Sequence, residues 1–343
     1  MKALVLEDYM KLVYKDVPDP IIQPDEVLVE VKAAGICGSD IHGMDGSSGR
    51  RIPPVIMGHE ASGVIVRKGK DVKGWGKGDR VTFDSTIYKL DDWFTKKGMY
   101  NLSDGRMVLG VSADEFKKDG AFADYVAVPQ HILYKIPDNV SFIHAAMVEP
   151  AAVAMHAVEL TPISMNDSAV VVGSGMIGSF VIQLLKIKGC GKIFAVDMDD
   201  DRIALAKKLG ATHGINPHKN YIPEEICKNT GGRGADVAFE VVGVSDSVIT
   251  AIKSLRKGGS LTLVGNLTPQ VEIPMQTVVT RQLRLQGAYA IAGEYQDILD
   301  MIASGLIDTE SILSAVVPLS EGAIWFEKLY RKEKGLMKVV LVP

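Results

Sequence analysis

The amino-acid sequence predicts an α/β protein with two domains, one β-rich and one built on a doubly wound parallel sheet. Three observations support this fold class. The first half alternates short apolar segments with Gly, Asp and Pro turns. From about residue 168, apolar strand-like runs alternate with helical segments, the pattern of a parallel sheet covered by helices. A chain of 343 residues is also long enough for two domains that each bury a core.

The first half contains four clear strand candidates. In EVLVEVKAAG, the apolar residues Val27, Val29 and Val31 occupy one face of a strand and charged residues occupy the other. ASGVIVRKG, DRVTFD and FADYVAVP follow, separated by turn residues. Near residue 145 the pattern changes to the Ala-rich segment AAMVEPAAVAMHAVEL, which predicts a helix. These segments predict a small, irregular β domain.

The second half alternates strands with helices. Buried strands are predicted at SAVVVG, KIFAVD, DVAFEVVG and SLTLVG, and helices at SFVIQLLKIKG and DRIALAKKLG. From Gly287 onward helix and strand are mixed, and the chain ends in the strand MKVVLVP, whose domain the spacing leaves open. We therefore expect one domain over residues 1–148 and 287–343, and the other over 149–286.

Composition and charge exclude several classes of protein. The chain is 47% hydrophobic and 23% charged with a net charge of -4, so it lacks the basic face of a nucleic-acid-binding protein. The start, MKALVLEDYMKLVYKD, alternates apolar and charged residues, and no run approaches membrane-spanning length. The sparse cysteines, Cys37, Cys190 and Cys227, suit a reducing compartment. We expect a cytoplasmic protein without a nucleic-acid or membrane partner.

A glycine motif between strand and helix predicts a dinucleotide site. In VVVGSGMIG, Gly173 permits a tight turn, Gly175 lets the backbone approach a pyrophosphate, and Gly178 lets helix and strand pack closely. Met176 and Ile177 open the helix, whose N-terminus offers free N–H groups to phosphates. Glycines that merely build a turn are the weaker interpretation, because the motif occurs together with its strand, its helix and a following acid.

The acid at the end of the next strand favours NAD over NADP. Asp197 is placed to accept hydrogen bonds from the ribose hydroxyls, and the acidic residues 199–201 would repel a 2′-phosphate. Arg202 comes after this acidic run and is expected near the adenine, not as a phosphate clamp. The ends of the following strands supply small surfaces for the nicotinamide pocket: Val242, Val264 and Gly265.

Two short segments, Cys37-Gly-Ser-Asp-Ile-His42 and Gly58-His59-Glu60, contain the residue types that bind zinc. Zinc accepts Cys sulfur, His nitrogen and carboxylate oxygen, and a catalytic site leaves one position open. Each residue alone has an ordinary alternative, such as a buried thiol, a hydrogen-bonded histidine or a capping carboxylate. The combination favours a metal site.

CGSDIH, GHE, GDRV, GAFADY, VEPAAVAMHA and VVVGSGMIG, in this order, resemble the zinc-dependent medium-chain dehydrogenase/reductase superfamily over essentially the whole chain. The likeness is greatest to its sorbitol (L-iditol), butanediol and L-threonine dehydrogenases. The resemblance implies a GroES-like catalytic domain and a Rossmann NAD-binding domain. It also implies that Cys37 and His59 bind catalytic zinc, and that Glu60 is a ligand in some states.

Glu149, in VEPAA, stands where classical alcohol dehydrogenases have a cysteine. By resemblance, glutamate here is the pattern of the polyol and threonine dehydrogenases, in which it meets the metal through a water. Pro150 suits a first helical turn, so Glu149 is also a candidate helix cap. The two roles are compatible.

The resemblance implies oxidation of a secondary alcohol to a ketone by hydride transfer to NAD, with a polyol or sugar alcohol as the leading substrate. Ser39 would accept the substrate proton, and His42 would pass it to solvent, unless His42 is simply a surface-loop histidine. Asp40 would orient the ligands. Threonine or another amino alcohol and 2,3-butanediol remain alternative substrates. A zinc-free NADPH reductase or a non-catalytic nucleotide-binding protein would lack ligands that are present here.

Many relatives also bind a structural zinc through four cysteines in a lobe of the first domain. The corresponding positions here are Lys89, Asp92, Thr95 and Ser103. We therefore expect one zinc per chain and no structural zinc, with the lobe stabilised by packing of its aromatic residues Trp93, Phe94 and Tyr100.

Two further expectations concern the surface. Arg50 and Arg51, between the two metal-type segments, fit a solvated turn better than a substrate contact. The resemblance implies a homodimer or homotetramer, and RQLRLQGAY is a plausible edge strand for pairing between subunits.

Overall fold

The computed structural model describes residues 1–111 and 117–343. They form two compact units. The first unit comprises Met1–Glu149, Tyr295–Ser304 and Thr309–Pro343, and the second comprises Pro150–Glu294 and Gly305–Asp308. The sequence predicts domain boundaries after residues 148 and 286. The structure divides the chain after residues 149 and 294.

The first unit is β-rich, and its strands before residue 148 pair mainly antiparallel. They are β1 (Lys2–Asp8), β2 (Lys11–Asp16), β3 (Glu26–Gly35), β4 (Val55–Ile56), β5 (Glu60–Lys68), β6 (Arg80–Phe83), β7 (Thr86–Ile87), β8 (Met107–Val108), β9 (Tyr125–Pro129) and β10 (Leu133–Lys135). Strand β1 pairs with β2 and β4, β3 pairs with β5 and β9, and β6 lies between β5 and β10. Helices α1 (Gly38–Met44) and α2 (Phe142–Ala145) accompany them, and α3 (Val148–Glu159) begins in this unit and belongs to the second unit from Pro150 onward.

Strand β3 lies at the centre of the larger sheet of this unit. Its alternating residues Val27, Val29 and Val31 are all buried, as the apolar pattern predicts. They belong to a core that also contains Phe122 and Phe326, whose rings meet edge to face. The strand candidates of the first half are confirmed as β3, β5, β6 and β9.

The second unit contains a parallel sheet. Its strands are β11 (Ser168–Val172), β12 (Lys192–Val196), β13 (His213–Ile215), β14 (Ala235–Glu240), β15 (Leu255–Leu263) and β16 (Arg284–Gly287). Its helices are α4 (Met176–Ile187), α5 (Asp200–Leu209), α6 (Ile222–Asn229), α7 (Ser245–Ser254) and α8 (Met275–Thr280). The spatial order is β13-β12-β11-β14-β15-β16, so the winding reverses between β11 and β14. In open parallel sheets, ligands bind at the carboxyl ends of the strands where the order reverses.

The C-terminal segment returns to the first unit. It contributes α9 (Tyr295–Ala303), β17 (Leu313–Pro318), α10 (Gly322–Tyr330) and β18 (Lys338–Val342). Strand β18, the MKVVLVP run, pairs antiparallel with β3 and parallel with β17, which decides the placement that the spacing left open. Within the described residues, no helix combines the length and apolar character needed to cross a bilayer.

Candidate active site

Three side chains of the types that bind zinc converge in the first unit. The Cys37 thiol, one His59 ring nitrogen and one Glu60 carboxylate oxygen all lie within 4.8 Å of one another. Cys37 precedes α1, and His59 and Glu60 stand at the start of β5. Gly58 turns the chain into β5 at a φ of +99°, and a Cβ there would lie 2.8 Å from the Phe122 ring. Among residues 1–111 and 117–343, this is the one such group of three.

The first turn of α1 places Ser39 and Asp40 beside His59. Asp40 Oδ1 lies 3.3 Å from His59 Nδ1, and Ser39 Oγ lies 3.5 Å from Nε2. Burial opposes ionisation of Asp40, but His59 and Arg51 outweigh it and lower the pKa of the carboxyl to about 2. Burial also opposes protonation of His59, yet Asp40 and Cys37 raise the pKa of its imidazole well above the usual range. The surroundings of His59 therefore favour positive charge at this point.

These residues fit a zinc ion. Sulfur, nitrogen and carboxylate oxygen are its usual ligands, and ligand atoms on a tetrahedral zinc lie roughly 3.5 Å apart, within the 4.8 Å limit of the group. A carboxylate behind the imidazole, as Asp40 is here, is the common arrangement for a metal-binding histidine. Glu60 Oε1 is buried and has no hydrogen-bond partner among the described residues, so the group retains a free acceptor.

Glu149 and His42 are outside this group of three. Glu149 is in the first turn of α3. Burial, Glu60 and Asp84 raise the pKa of its carboxyl to about 8, against the opposing effect of His59 and Lys338. His42 is in the last turn of α1, three residues after Ser39 and so on the same helix face, and it is partly exposed.

The glycine motif forms the loop between β11 and α4 in the second unit. Gly173 has a φ of +100° and donates its N–H to the Val196 carbonyl. A Cβ on Gly178 would collide with the Gly173 carbonyl, so close packing of helix and strand requires glycine. Gly175 is the N-cap of α4, and Met176 and Ile177 begin the helix, as predicted. The loop lies at the point where the strand order reverses.

Asp197 follows β12 beside this loop. Its Oδ2 accepts the Ser174 N–H at 2.9 Å, and its Oδ1 accepts the Asp199 N–H at 3.0 Å. Arg202 Nη1 lies 3.9 Å from Asp197 Oδ2. The carboxylate is therefore held next to the glycine loop, where a ribose would lie.

The residues expected around the nicotinamide lie after β14 and β15. Val242 follows β14, and Val264 and Gly265 follow β15, the neighbouring strand. The Gly243 and Gly265 backbones approach so closely that a side chain on either would collide with the other loop. The loops after β14 and β15 are therefore in close contact, next to the point where the strand order reverses.

Comparison with known proteins places the chain in a family. The alcohol dehydrogenase GroES-like domain matches residues 23–138, and the zinc-binding dehydrogenase domain matches residues 177–304. The chain is 33% identical over 348 residues to the sorbitol dehydrogenase of Bacillus subtilis (strain 168), covering 100% of this chain and 97% of that protein. It is a zinc-dependent medium-chain dehydrogenase.

Solved structures agree with this assignment. The 2R,3R-butanediol dehydrogenase of Bacillus subtilis is 31% identical, with a TM-score of 0.90 over 100% of this chain and 99% of that one. A structure described as a zinc-binding dehydrogenase of Sinorhizobium meliloti 1021, bound to NADP, is 29% identical, with a TM-score of 0.92 over the same shares. The GroES-like and Rossmann architecture is confirmed, and this dehydrogenase is a zinc enzyme with a nicotinamide cofactor that oxidises an alcohol.

Lys338, which no expectation from the sequence included, belongs to the centre of the site. This lysine is fully buried in β18, forms an ion pair with Glu60, and donates to the Ile36 carbonyl at 3.1 Å. A Cβ on Gly35 would collide with the Glu60 carboxylate, so the pair requires glycine beside it. The available signal is a charged residue inside the apolar run MKVVLVP, which a buried strand tolerates only with a partner.

Arg51 corrects one expectation about the loop between the two metal-type segments. Arg50 is exposed, as a solvated turn predicts, but Arg51 is 1% exposed and forms an ion pair with Asp40 at 2.8 Å. The solvated-turn prediction is therefore wrong for Arg51. The residues around Arg51 are hydrophilic, so the sequence does not indicate that its side chain is buried against the Asp40 carboxylate.

Glu240 is a third residue that the sequence patterns did not single out. It ends β14, is fully buried, and accepts the N–H groups of Val242 and Gly243 at 2.8 Å each with one oxygen. The same oxygen accepts the Ser247 hydroxyl at 2.6 Å. This carboxylate holds the turn at Gly243 in place.

Residues 88–104, here termed the lobe, contain the four positions considered above for a structural zinc: Lys89, Asp92, Thr95 and Ser103. Asp92 Oδ2 accepts the Phe94 and Thr95 N–H groups, and Oδ1 accepts the Asp104 N–H. Ser103 Oγ accepts the Lys89 N–H at 3.3 Å. The aromatic residues pack as expected: Tyr100 stacks on Tyr88, and Trp93 meets Phe94 edge to face.

Proposed function

We propose that this dehydrogenase uses NAD to oxidise a polyol, or another secondary alcohol, to the ketone at a single zinc ion. Cys37 and His59 hold the ion, with Glu60 and Glu149 as the neighbouring carboxylates. The observation that carries this proposal is the group of three ligand-type atoms within 4.8 Å, with Asp40 behind His59. Similarity to a sorbitol dehydrogenase over the whole chain supports the substrate class.

The protein residues organise the metal site as follows. When bound, zinc supplies Lewis-acid chemistry that makes a substrate hydroxyl more acidic. Asp40 at His59 Nδ1 leaves Nε2 directed at the metal. Lys338 pairs with one Glu60 oxygen and leaves Oε1 for the metal, and Glu149, outside the group of three, would meet the metal directly or through a water.

The proton leaves along α1. Ser39 Oγ, next to His59 Nε2, accepts the proton of the substrate hydroxyl. His42, three residues further along the helix and partly exposed, delivers it to solvent, since histidine exchanges protons near neutral pH. Ser39 and His42 lie on one helix face, which supports this path.

The cofactor that accepts the hydride is NAD in this proposal. Asp197 stands where the ribose hydroxyls would lie, and Asp199 and Asp200 follow it, so a 2′-phosphate would meet several negative charges. Gly173, Gly175 and Gly178 with the start of α4 bind the pyrophosphate. NADP, which one structural neighbour holds, is the alternative.

An activity panel tests the proposal. NAD and NADP reduction would be followed by absorbance with sorbitol, xylitol, inositol, 2,3-butanediol, threonine and 2-propanol, each with and without a chelator. The proposal expects chelator-sensitive turnover of a polyol with NAD. Turnover of only threonine or a simple diol would replace the substrate, and turnover only with NADP would contradict the role of Asp197.

Three further proposals concern the whole molecule. Residues 1–148 with 287–343 form the catalytic domain, and 149–286 form the NAD-binding domain.

Two copies pair through β16, which lies at the end of its sheet and has Arg284 and Gln286 exposed. Light scattering that finds a monomer would reject this pairing. The protein works in the cytoplasm, which its three free cysteines suit.

A further inference from the structure

Arg51 is an arginine whose burial needs an explanation. It lies between the two metal-type segments, and its side chain is 1% exposed, whereas its neighbour Arg50 is exposed. A guanidinium stays charged under all ordinary conditions, and removing it from water is costly. A buried arginine at this position is therefore expected to have a specific task.

All of its described side-chain hydrogen bonds are made by one nitrogen. Arg51 Nη2 donates to Asp40 Oδ1 at 2.8 Å and to Ser39 Oγ at 3.1 Å. Nε and Nη1 are buried and have no acceptor among the described residues. The charge of the guanidinium thus acts on Ser39 and Asp40, the two residues that contact His59.

Helix α1 is shaped to admit this side chain. A Cβ on Gly43 would collide with the Arg51 Cδ and Nε atoms, so only glycine leaves room at that point of the helix. Gly43 lies one turn after Ser39 and Asp40 on the same helix. The glycine and the arginine therefore form a matched pair that anchors the helix turn bearing the proton acceptor.

We propose that Arg51 is a positioning residue that sets the direction of proton transfer through Ser39. A serine hydroxyl has one hydrogen and two acceptor positions. The N–H from Arg51 occupies one acceptor position, so the hydroxyl hydrogen must point away from the guanidinium. His59 Nε2 lies 3.5 Å from the same hydroxyl, and once that nitrogen serves as a metal ligand it would no longer hydrogen-bond Ser39. The second acceptor position would then be open to the substrate proton, and the hydrogen of Ser39 would be released on the far side.

This inference rests on the proposed role of Ser39 in alcohol oxidation, and a double-mutant cycle tests it with sorbitol as the probe. The variants are Arg51→Met, Ser39→Ala and the pair, with Arg50→Met as the matched control. Zinc content and the unfolding midpoint are measured for each variant. We expect Arg51→Met to lower kcat about 10–100-fold, with Arg50→Met unchanged.

Two readouts distinguish positioning from a loss of folded protein. Adding Arg51→Met to Ser39→Ala is expected to change kcat little further, because the arginine acts through the serine. Arg51→Met is also expected to raise the solvent deuterium isotope effect on kcat, a ratio that a smaller active fraction does not change. Full additivity, or an unchanged isotope effect, would overturn the inference.

Arg51→Lys decides the matter if the methionine variant does not fold. It keeps the charge but not the forked donor geometry, so we expect normal zinc content, reduced kcat and a raised solvent isotope effect. A lysine variant with wild-type kcat and isotope effect would contradict the inference. A wild-type protein that oxidises no alcohol would instead contradict the proposed function.

Discussion

The metal-type group and the lobe both lie in the first unit, and each contains an acidic side chain, Glu60 in the group and Asp92 in the lobe. In the lobe, Asp92 accepts three backbone N–H groups, so most of the acceptor capacity of its carboxylate is used by the chain. In the metal-type group, Glu60 Oε1 is buried without a partner among the described residues.

Buried polar atoms without a protein partner help to distinguish a binding site from a structural cluster. Buried polar groups are normally hydrogen-bonded within the protein, and exceptions need a reason. In the described part of the chain, Glu60 Oε1 and two Arg51 nitrogens near His59 lack protein partners, and in the lobe the hydroxyl of Thr95 does. The lobe uses the Asp92 carboxylate to hold its own backbone, and that it binds no cation stays a prediction.

Loss of the thiol should have the largest effect. We expect Cys37→Ala to lose zinc and to reduce kcat/KM by about 10³-fold or more, because the Lewis acid goes with the ligand. Elemental analysis and steady-state kinetics measure both. Asp92→Ala is the matched change in the lobe and should keep its zinc and its kcat. A Cys37→Ala protein that retains full zinc would contradict the role of Cys37 as a zinc ligand.

The second-largest effect is expected from the buried ion pair between Lys338 and Glu60. Lys338→Met leaves the Glu60 carboxylate in a buried site without its counter-charge, and we expect a loss of about 3–5 kcal/mol of unfolding free energy. Urea denaturation measures this, with the exposed Lys332→Met as control. The double variant Glu60→Gln/Lys338→Met should regain part of the loss, because neither charge then remains buried. Equal stability of Lys338→Met and wild type would refute the role of the pair.

A smaller effect is expected from the hydroxyl that anchors the lobe. Tyr100 donates to Asp84 Oδ2 at 2.8 Å and stacks on Tyr88. Tyr100→Phe keeps the stacking but removes the donor, and should cost about 1–2 kcal/mol in urea denaturation. Tyr88→Phe is the control, since the Tyr88 hydroxyl makes only a 3.4 Å contact with the His131 carbonyl. If both variants cost the same, the Asp84 bond is not what anchors the lobe.

The smallest effect concerns the charge on Asp92 and depends on pH. Burial opposes its ionisation, but the backbone N–H groups of the lobe outweigh this and hold the pKa of Asp92 below its ordinary 3.8. Its ionised form therefore stabilises the lobe above that value, and the contribution is lost as pH falls through the lowered pKa. Asp92→Asn should lower the unfolding midpoint by a few degrees near neutral pH and by less at about pH 3. If the midpoints of Asp92→Asn and wild type differed more at about pH 3 than near neutral pH, the result would contradict this prediction.

Much of the fold is readable from the sequence because its signals are local. Strand β3 shows apolar alternation, β11 and β12 are short apolar runs, and the glycine loop has its strand and helix on either side. Cys37, His59 and Glu60 come from two short segments, and the structure brings them together. Their roles as ligands stay a prediction.

The residues that sequence reasoning missed depend on partners far along the chain. Lys338 meets Glu60 across 278 positions, and no local pattern indicates that pairing. Arg51 sits in a hydrophilic loop, and only the buried Asp40 explains why it turns inward. Local patterns predict elements, whereas the compensation of buried charge is decided by the assembled core.

The number of zinc ions per chain, measured by elemental analysis of the purified protein, is the decisive test of the proposed metal site. We predict one zinc, lost in Cys37→Ala and retained in Asp92→Ala. Two zinc ions per chain would show that the lobe binds metal despite its internally bonded carboxylate. None would show that the free acceptor beside Cys37 and His59 does not mark a metal site.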